Sequence, residues 1–274
     1  MSEPTKPLRL SWSRIRVHEE CAAKGALLRE HKSPVTDVRN FFHGNVVDQC
    51  QRLWLSQDPP EPGWMAAHVD EIMDRAEVTA RETGDGVVRW RTATDKAELR
   101  EFCRELVTRL EAILVRYCLP FEWDPAVRFE VPISVTYLDG TLREIQLVGE
   151  IDLLVRDIQR RLAIWDLKAT ANNSYWRKTI AQLTFYAIAM KAKTGQWPAI
   201  MGLIQPMCDQ QVLPVALTSQ SVRETWSRIE RTAQDIWAGR LEPKADNDGC
   251  QWCPVHSACP KYKVIGTGRV RVAG

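Results

Sequence analysis

Two apolar runs near the middle of the chain carry carboxylates in their interior, and nothing else in the sequence constrains the fold as tightly. The first reads QLVGEIDLLVRD over 146–157 and the second LAIWDLKAT over 162–170. Strand geometry alternates side chains between faces, so Glu150 and Asp152 share one side while Ile151 and Leu153 take the other. In the second run Asp166 and Lys168 share a face, with Ala163, Trp165 and Leu167 opposite. An ionised group in such a run is costly unless it is paired or coordinates something. Two arrangements meet that demand. One is a cross-strand salt bridge closed by Lys168. The other is a divalent ion such as Mg²⁺, which takes carboxylate oxygens and keeps some of its waters. Such an ion orients and activates water and offsets charge at a phosphoryl centre, with Lys168 placed to position that water.

The flanking sequence supplies the rest of a sheet. From Val127 to Tyr137 the apolar residues Val127, Phe129, Val131, Ile133, Val135 and Tyr137 recur with a strict period of two, and Asp139-Gly140 marks a tight turn. Strands are then expected over Arg143–Arg156 and Arg161–Ala169, with shorter ones over Ala199–Gln205 and Gln211–Thr218. The first 120 residues read as mostly helical. Ser11 caps a helix running through Trp12, Ile15 and Ala22 towards Leu28, behind a polar arm over 1–10. Further helices are expected over Phe41–Leu55, Trp64–Arg81 and Lys96–Tyr117. The last carries an apolar stripe of Leu99, Phe102, Cys103, Leu106, Leu110, Ile113 and Leu114. Asn173–Lys193 and Val222–Trp237 complete the helical segments. The expected fold is therefore α/β (α+β), with a mixed central sheet, an N-terminal helical region and a Cys-rich C-terminal tail. It is read as a single domain over 1–274, in which 11–120 is mainly helical with an insertion at 56–120. The core is expected over 121–240 and the tail over 241–274.

His43 lies in the second expected helix, where Gly44 after it permits close packing; its imidazole suits a metal ligand, an orienting group or a core position. Gln182 and Tyr186 are four apart and share a helix face. The glutamine suits holding a nucleophile or phosphate and the tyrosine suits stacking or hydrogen bonding, and both equally suit an ordinary polar helix surface.

The tail contains GCQWCPVHSACPKYK, which sets Cys250, Cys253 and Cys259 at C-x₂-C-x₅-C spacing. A four-thiolate site needs one more ligand from Cys21, Cys50, Cys103, Cys118 or Cys208. Cys50, Cys103 and Cys118 fall in apolar helix patterns, where a buried thiol is the ordinary explanation. Cys208 stands in a short loop and Cys21 in the polar stretch HEECAAK. Zn²⁺ and a [4Fe–4S] cluster both take four thiolates, and His256 offers a Cys₃His zinc alternative.

Bulk properties exclude several classes. Lys and Arg number 37 against 35 Asp and Glu, a formal net charge of +2, so any nucleic-acid surface is a local patch and not a global field. No apolar run is long enough to span a membrane, and the N-terminus has no apolar signal core, so the expected location is cytoplasmic. No G-x-x-x-x-G-K-[ST] loop occurs, which excludes an ATP-driven motor of that kind.

Taken together, His43, G-E-I-D at 149–152, D-L-K at 166–168 and Q-x₃-Y at 182–186 resemble the RecB-like branch of the PD-(D/E)XK nucleases. The match in order and spacing covers about 145 residues. It departs from the commoner D-Y-K or E-Y-K only at Leu167. Cys21 ahead of the core, with Cys250, Cys253 and Cys259 behind it, is similar to the iron–sulfur subset. That subset includes the CRISPR-associated RecB-like exonucleases, their stand-alone phage relatives and the nuclease domain of the AddB helicase subunit. S-W-S-x₇-C-A at Ser11–Ala22 resembles their opening helix, with alanine where proline is more usual. The resemblance is weakest over 56–120. It implies metal-dependent hydrolysis of DNA, preferentially single-stranded and from ends. Asp152, Asp166, His43 and the backbone carbonyl of Leu167 would hold Mg²⁺ or Mn²⁺. Lys168 would activate water, and Gln182 and Tyr186 would support the lysine or the phosphate. The four cysteines would hold a structural [4Fe–4S] cluster. Trp176, beside Arg177 and Lys178, is the best-placed stacking residue for single-stranded DNA, and it equally suits a core position. Other readings implied are a subunit working only with a helicase or within a recombination, repair or spacer-acquisition complex, and a metal-stabilised DNA-binding protein without cleavage.

Overall fold

The computed structural model describes residues 7–31, 39–83, 88–90, 92–119, 121–169, 176–244, 250 and 253–261. Its elements in chain order are β1 (Leu8–Leu10), α1 (Trp12–Glu20), α2 (Ala22–Glu30), α3 (Arg39–Leu55), α4 (Trp64–Thr83), α5 (Ala93–Tyr117), β2 (Glu122–Thr136), β3 (Leu142–Arg156), β4 (Leu162–Leu167), α6 (Trp176–Thr194), β5 (Ile200–Ile204), β6 (Val212–Val215) and α7 (Ser219–Trp237). The six strands form one mixed sheet in the order β1-β3-β4-β5-β6, with β2 also paired to β3. The fold is therefore the mixed α/β arrangement expected from the sequence. The chain divides into two compact units, one of residues 1–34, 130–149 and 223–274, the other of 35–129 and 150–222.

In the first unit, β1 runs parallel to β3 in the register Leu8↔Ile145 to Leu10↔Leu147. Of the polar arm expected over 1–10, residues 8–10 form this strand and 1–6 lie outside the described residues; three residues are too few to leave a periodic signature, although Leu10 is fully buried. Ser11 does cap α1, its hydroxyl accepting from the Arg14 N–H at 3.2 Å. The single long helix expected through Leu28 is instead two, because Cys21 adopts an extended backbone (φ −163°, ψ 112°) between them. α1 is tied to α7 by polar contacts: Arg228 Nε donates to Glu19 Oε1 at 2.6 Å, and buried His18 faces Asp235 at 3.3 Å. At the β2–β3 turn, Asp139 Oδ1 accepts from the Thr141 N–H at 2.9 Å, and Gly140 takes the left-handed φ of +83° that the turn requires.

The second unit builds its core between α3, α4 and α5 and one face of the sheet. Val46, Trp54, Met65, Met73, Leu106 and Leu110 pack with Leu153, Val155, Ala163 and Trp165. The expected stripe of α5 lies in this cluster, with Leu99 and Phe102 partly buried at its edge. β3 and β4 are antiparallel, β4 and β5 parallel, and β5 and β6 antiparallel. Asp157 shapes the β3–β4 turn by accepting from the N–H groups of Gln159 and Arg161, each at 2.9 Å. β2 begins at Glu122, five residues before the periodic run, because Ala126 at φ 55° interrupts the alternation. α7 likewise begins at Ser219, ahead of Val222, where Thr218 Oγ1 accepts from the Ser221 N–H at 3.0 Å.

Two glycines of this unit carry opposite constraints. A Cβ on Gly202 would lie 2.3 Å from Trp165 Cζ3 and 2.8 Å from the Leu213 carbonyl oxygen. Gly202 therefore lets β5 approach under the Trp165 indole. Gly44, by contrast, has no atom within 4 Å of its would-be Cβ, which corrects the expectation of close packing there. Gly202→Ala should destabilise the protein by about 1–3 kcal/mol through overpacking. Gly44→Ala should be neutral or stabilising by up to about 1 kcal/mol. Urea unfolding of the two variants side by side checks both.

Candidate active site

The antiparallel register of β3 and β4 pairs Leu153 with Trp165. Continued by one step, it sets Asp152 directly opposite Asp166. Asp166 is 1% exposed, and neither of its carboxylate oxygens has an aligned hydrogen-bond donor. Its nearest cation is Lys168, whose Nζ lies 2.5 Å from Oδ2 as an ion pair. Asp152 is held differently: its Oδ2 accepts from the Leu167 N–H at 2.7 Å. Lys168 is steadied in turn by its own N–H, which donates to the Ile204 carbonyl at 2.9 Å. The backbone of the D-L-K segment is thus pinned on both sides while the carboxylates face each other.

Burial and the charge of Asp166 raise the Asp152 pKa well above the ordinary carboxylate range, against smaller lowering effects of the Leu167 N–H and Lys168. Burial also raises that of Asp166, and Lys168 only partly offsets it. A mutually repelling pair, one carboxylate fully buried and the other half-buried, is the electrostatic demand that a divalent cation meets. Asp152 and Asp166 therefore fit such an ion, with Asp166 Oδ1 left for it and Oδ2 shared with the Lys168 ammonium.

The other sequence-derived candidates distribute around this pair. Gln182 Nε2 donates to the Tyr186 hydroxyl at 2.9 Å, one turn apart on α6. Burial raises the Tyr186 pKa strongly, and Asp166, Asp152 and Glu150 add to this against the Gln182 hydrogen bond, so the phenol stays protonated. His43 Nε2 lies 2.8 Å from the Ala169 carbonyl oxygen, just past β4. A carbonyl only accepts, so Nε2 carries the proton and Nδ1 the lone pair. Burial lowers the His43 pKa more than that hydrogen bond raises it, which leaves the ring neutral. The imidazole thus ties α3 to the end of β4. Among the described residues no three of His, Cys, Asp and Glu gather into a metal-binding group. The side chains of Trp176, Arg177 and Lys178 lie outside the described residues.

Three polar residues near the pair were not singled out from the sequence. Asp48 and Arg52, four apart on α3, pair at 2.8 Å. Asp48 contributes to the field that raises Asp152, and burial raises the pKa of Asp48 itself. Arg52 also pairs with Glu150, whose second oxygen accepts from Arg128 Nε at 2.8 Å. The i,i+4 spacing of Asp48 and Arg52 was visible, but such pairs are common on solvated helices.

The tail cysteines belong to the first unit, as does Cys21. Lys244 Nζ donates to the Glu19 carbonyl, two residues before Cys21, and the Lys244 carbonyl accepts from Cys250 Sγ at 3.6 Å. Beyond it a short turn carries Cys253, a 3₁₀ turn at His256–Ala258, and Cys259, whose N–H donates to the His256 carbonyl at 3.1 Å. Cys21, Cys250, Cys253 and Cys259 are half-buried and unbridged. This donor set suits an iron–sulfur or zinc centre, but the described positions do not gather three of its members. Cys50, Cys103 and Cys118 are instead fully buried, and burial pushes each thiol up to about 12.

Residues 9–260 match the profile of the PD-(D/E)XK nuclease superfamily, and the chain belongs to that superfamily. No curated protein matches it. Among solved structures, that of SSO0001 aligns at 15% identity with a TM-score of 0.36, over 81% of this chain and 96% of that one. No helix among the described residues is long and apolar enough to cross a membrane.

The strain of the aspartate pair has a measurable consequence. A carboxyl whose pKa is raised on folding binds its proton more tightly folded than unfolded. Metal-free stability therefore falls as pH rises from the ordinary aspartate value towards neutrality. Asp152→Asn keeps an acceptor for the Leu167 N–H while removing one charge. It should raise the neutral-pH melting temperature of the metal-free protein by about 2–4 °C. Added Mn²⁺ should stabilise the wild type and not the variant; thermal melts in EDTA and in Mn²⁺ read both effects.

Proposed function

We propose that the protein is a metal-dependent deoxyribonuclease that degrades single-stranded DNA from its ends. Membership of a nuclease superfamily gives the coarse activity. The observation that carries the metal-dependent reading is the opposed Asp152–Asp166 pair, with Asp166 buried beside the Lys168 ammonium. Mg²⁺ or Mn²⁺ bound by these carboxylates, with the Leu167 carbonyl and His43 as further ligands, would supply Lewis-acid activation of the phosphate and a nucleophilic water.

This chain's residues then divide the work. Asp166 fixes the cation position from a site closed to bulk water. Asp152 is kept in register by the Leu167 N–H, so the two carboxylates hold one geometry. Lys168, on the same face, orients the attacking water and shields the developing negative charge. The Tyr186 hydroxyl, which accepts from Gln182, keeps its own proton to donate to a phosphate oxygen or to the water beside Lys168. Preference for single strands rests on the resemblance to stand-alone exonucleases, and on stacking and phosphate contacts that need no base code.

The cysteines extend the proposal. Cys21, Cys250, Cys253 and Cys259 would carry a [4Fe–4S] cluster with a structural role. All four lie in one unit, and Lys244 already links the Glu19 backbone to the Cys250 thiol. Anaerobically purified protein should contain about four irons and four sulfides per chain, with visible absorption lost in Cys253→Ser. One zinc and no sulfide would replace the cluster with a zinc site.

The activity is tested with 5′- and 3′-labelled single-stranded DNA in Mn²⁺ or EDTA. Wild type should release nucleotides only with metal, and Asp166→Ala should lose at least about a hundredfold in rate, the scale of removing a group that acts on the transition state. The label lost first reports the direction of attack. No release by metal-loaded wild type would point to a subunit that needs a motor partner or to a protein that only binds.

A further inference from the structure

Glu150 stands two residues before Asp152 on the same face of β3, and two arginines from different elements converge on it. Arg52 of α3 pairs with one oxygen, and Arg128 of β2 donates to the other at 2.8 Å. Neither arrangement looks like a stabilising ion pair. The Arg128 side chain is 84% exposed, and an exposed pair of this kind contributes about 0–1 kcal/mol at most. Arg52 already has a carboxylate partner in Asp48 on its own helix, yet its buried Nε has no hydrogen-bond partner. The two guanidiniums therefore bring more donors than Glu150 and Asp48 use. Two guanidinium forks closing on one anion from both sides is the geometry that suits a phosphate.

We infer that Arg52 and Arg128 form a binding subsite for a DNA backbone phosphate next to the one being cleaved, and that Glu150 fills this subsite until DNA displaces it. The inference rests on the nuclease reading and adds a residue set to it. Two strand residues span about 7 Å, a step comparable to that between successive phosphates of an extended single strand. Electrostatics gives the internal carboxylate a role. Asp48, Glu150, Asp152 and Asp166 crowd one end of the sheet, and two free guanidiniums there would otherwise be drawn towards the catalytic aspartates. An incoming phosphate exchanges one anion for another, so the arginines lose no charge partner on binding. Glu150 returns to water at the strand face.

The test measures binding and cleavage separately. Anisotropy of a fluorescent oligothymidylate in Ca²⁺, over a series of salt concentrations, gives affinity and its salt dependence. Arg128→Ala should weaken binding up to about fivefold. It should also lower the slope of log K against log salt by about 0.7, the loss of one single-strand phosphate contact. Glu150→Gln, which removes the competing charge, should tighten binding by a similar factor and lower KM in Mn²⁺ more than it changes kcat. Adding Arg128→Ala to Glu150→Gln should erase most of that gain. A purely structural pair would move the melting temperature of the variants but leave the salt slope at its wild-type value. Wild type that binds and cuts while Arg128→Ala matches it in affinity and slope overturns this inference alone, as does weaker binding by Glu150→Gln. Wild type that neither binds nor cuts overturns it together with the nuclease reading.

Discussion

The repulsion between Asp152 and Asp166 is the constraint around which the second unit is arranged. Two carboxylates are opposed across an antiparallel strand pair, one of them with no aligned donor. Such a pair does not lower the energy of the fold and persists only because its surroundings over-determine it. β4 is fixed between β3 and β5, and Trp165, one residue before Asp166, is packed over Gly202. The Leu167 N–H holds Asp152, the Ile204 carbonyl holds the Lys168 N–H, and His43 holds the Ala169 carbonyl. Trp165, Lys168 and Ala169 are thus anchored by something other than the carboxylates. That lets the carboxylates stay in an arrangement that only a cation completes.

The same logic explains why a helical layer sits on the opposite face. The cluster under β3 and β4 is supplied mainly by α3, α4 and α5. Several buried apolar side chains, each worth about 1.5–3 kcal/mol, offset the cost of the acidic face. α3 does two jobs at once. Its apolar side contributes Val46, Val47, Cys50 and Trp54 to this core, while Asp48 and Arg52 reach the acidic strand end. The 56–120 segment, weakest in resemblance, is therefore not peripheral in energetic terms: Met65, Met73, Leu106 and Leu110 form much of what the sheet rests on.

What could be read in the sequence follows from periodicity. The carboxylates of β3 and β4 announced themselves because a charge in an apolar strand breaks a pattern. The α5 stripe and the Gln182–Tyr186 pair followed from helical spacing. Three features escaped for stated reasons. β1 is too short to carry a period, and the break at Cys21 has neither glycine nor proline to signal it. The Asp48–Arg52–Glu150–Arg128 network joins residues from three elements, and nothing local distinguishes these charges from solvated ones. The sequence pattern finds a side chain that violates its own surroundings; it does not find one whose meaning depends on a partner about a hundred residues away.

That difference separates the roles of the charged groups as well. Asp166 is buried beside the Lys168 ammonium, which only partly offsets the cost of its charge. Glu150 is partly exposed and doubly paired, so its charge is already satisfied. Its removal leaves two cations facing the strand end where substrate would arrive. Two neighbouring same-face positions of β3 thus carry carboxylates under opposite electrostatic conditions. Asp152 is pushed towards its protonated form and Glu150 is held ionised. On the proposed reading a cation would relieve the first and a polyanion would compete with the second, so metal and nucleic acid would address adjacent positions of a single strand.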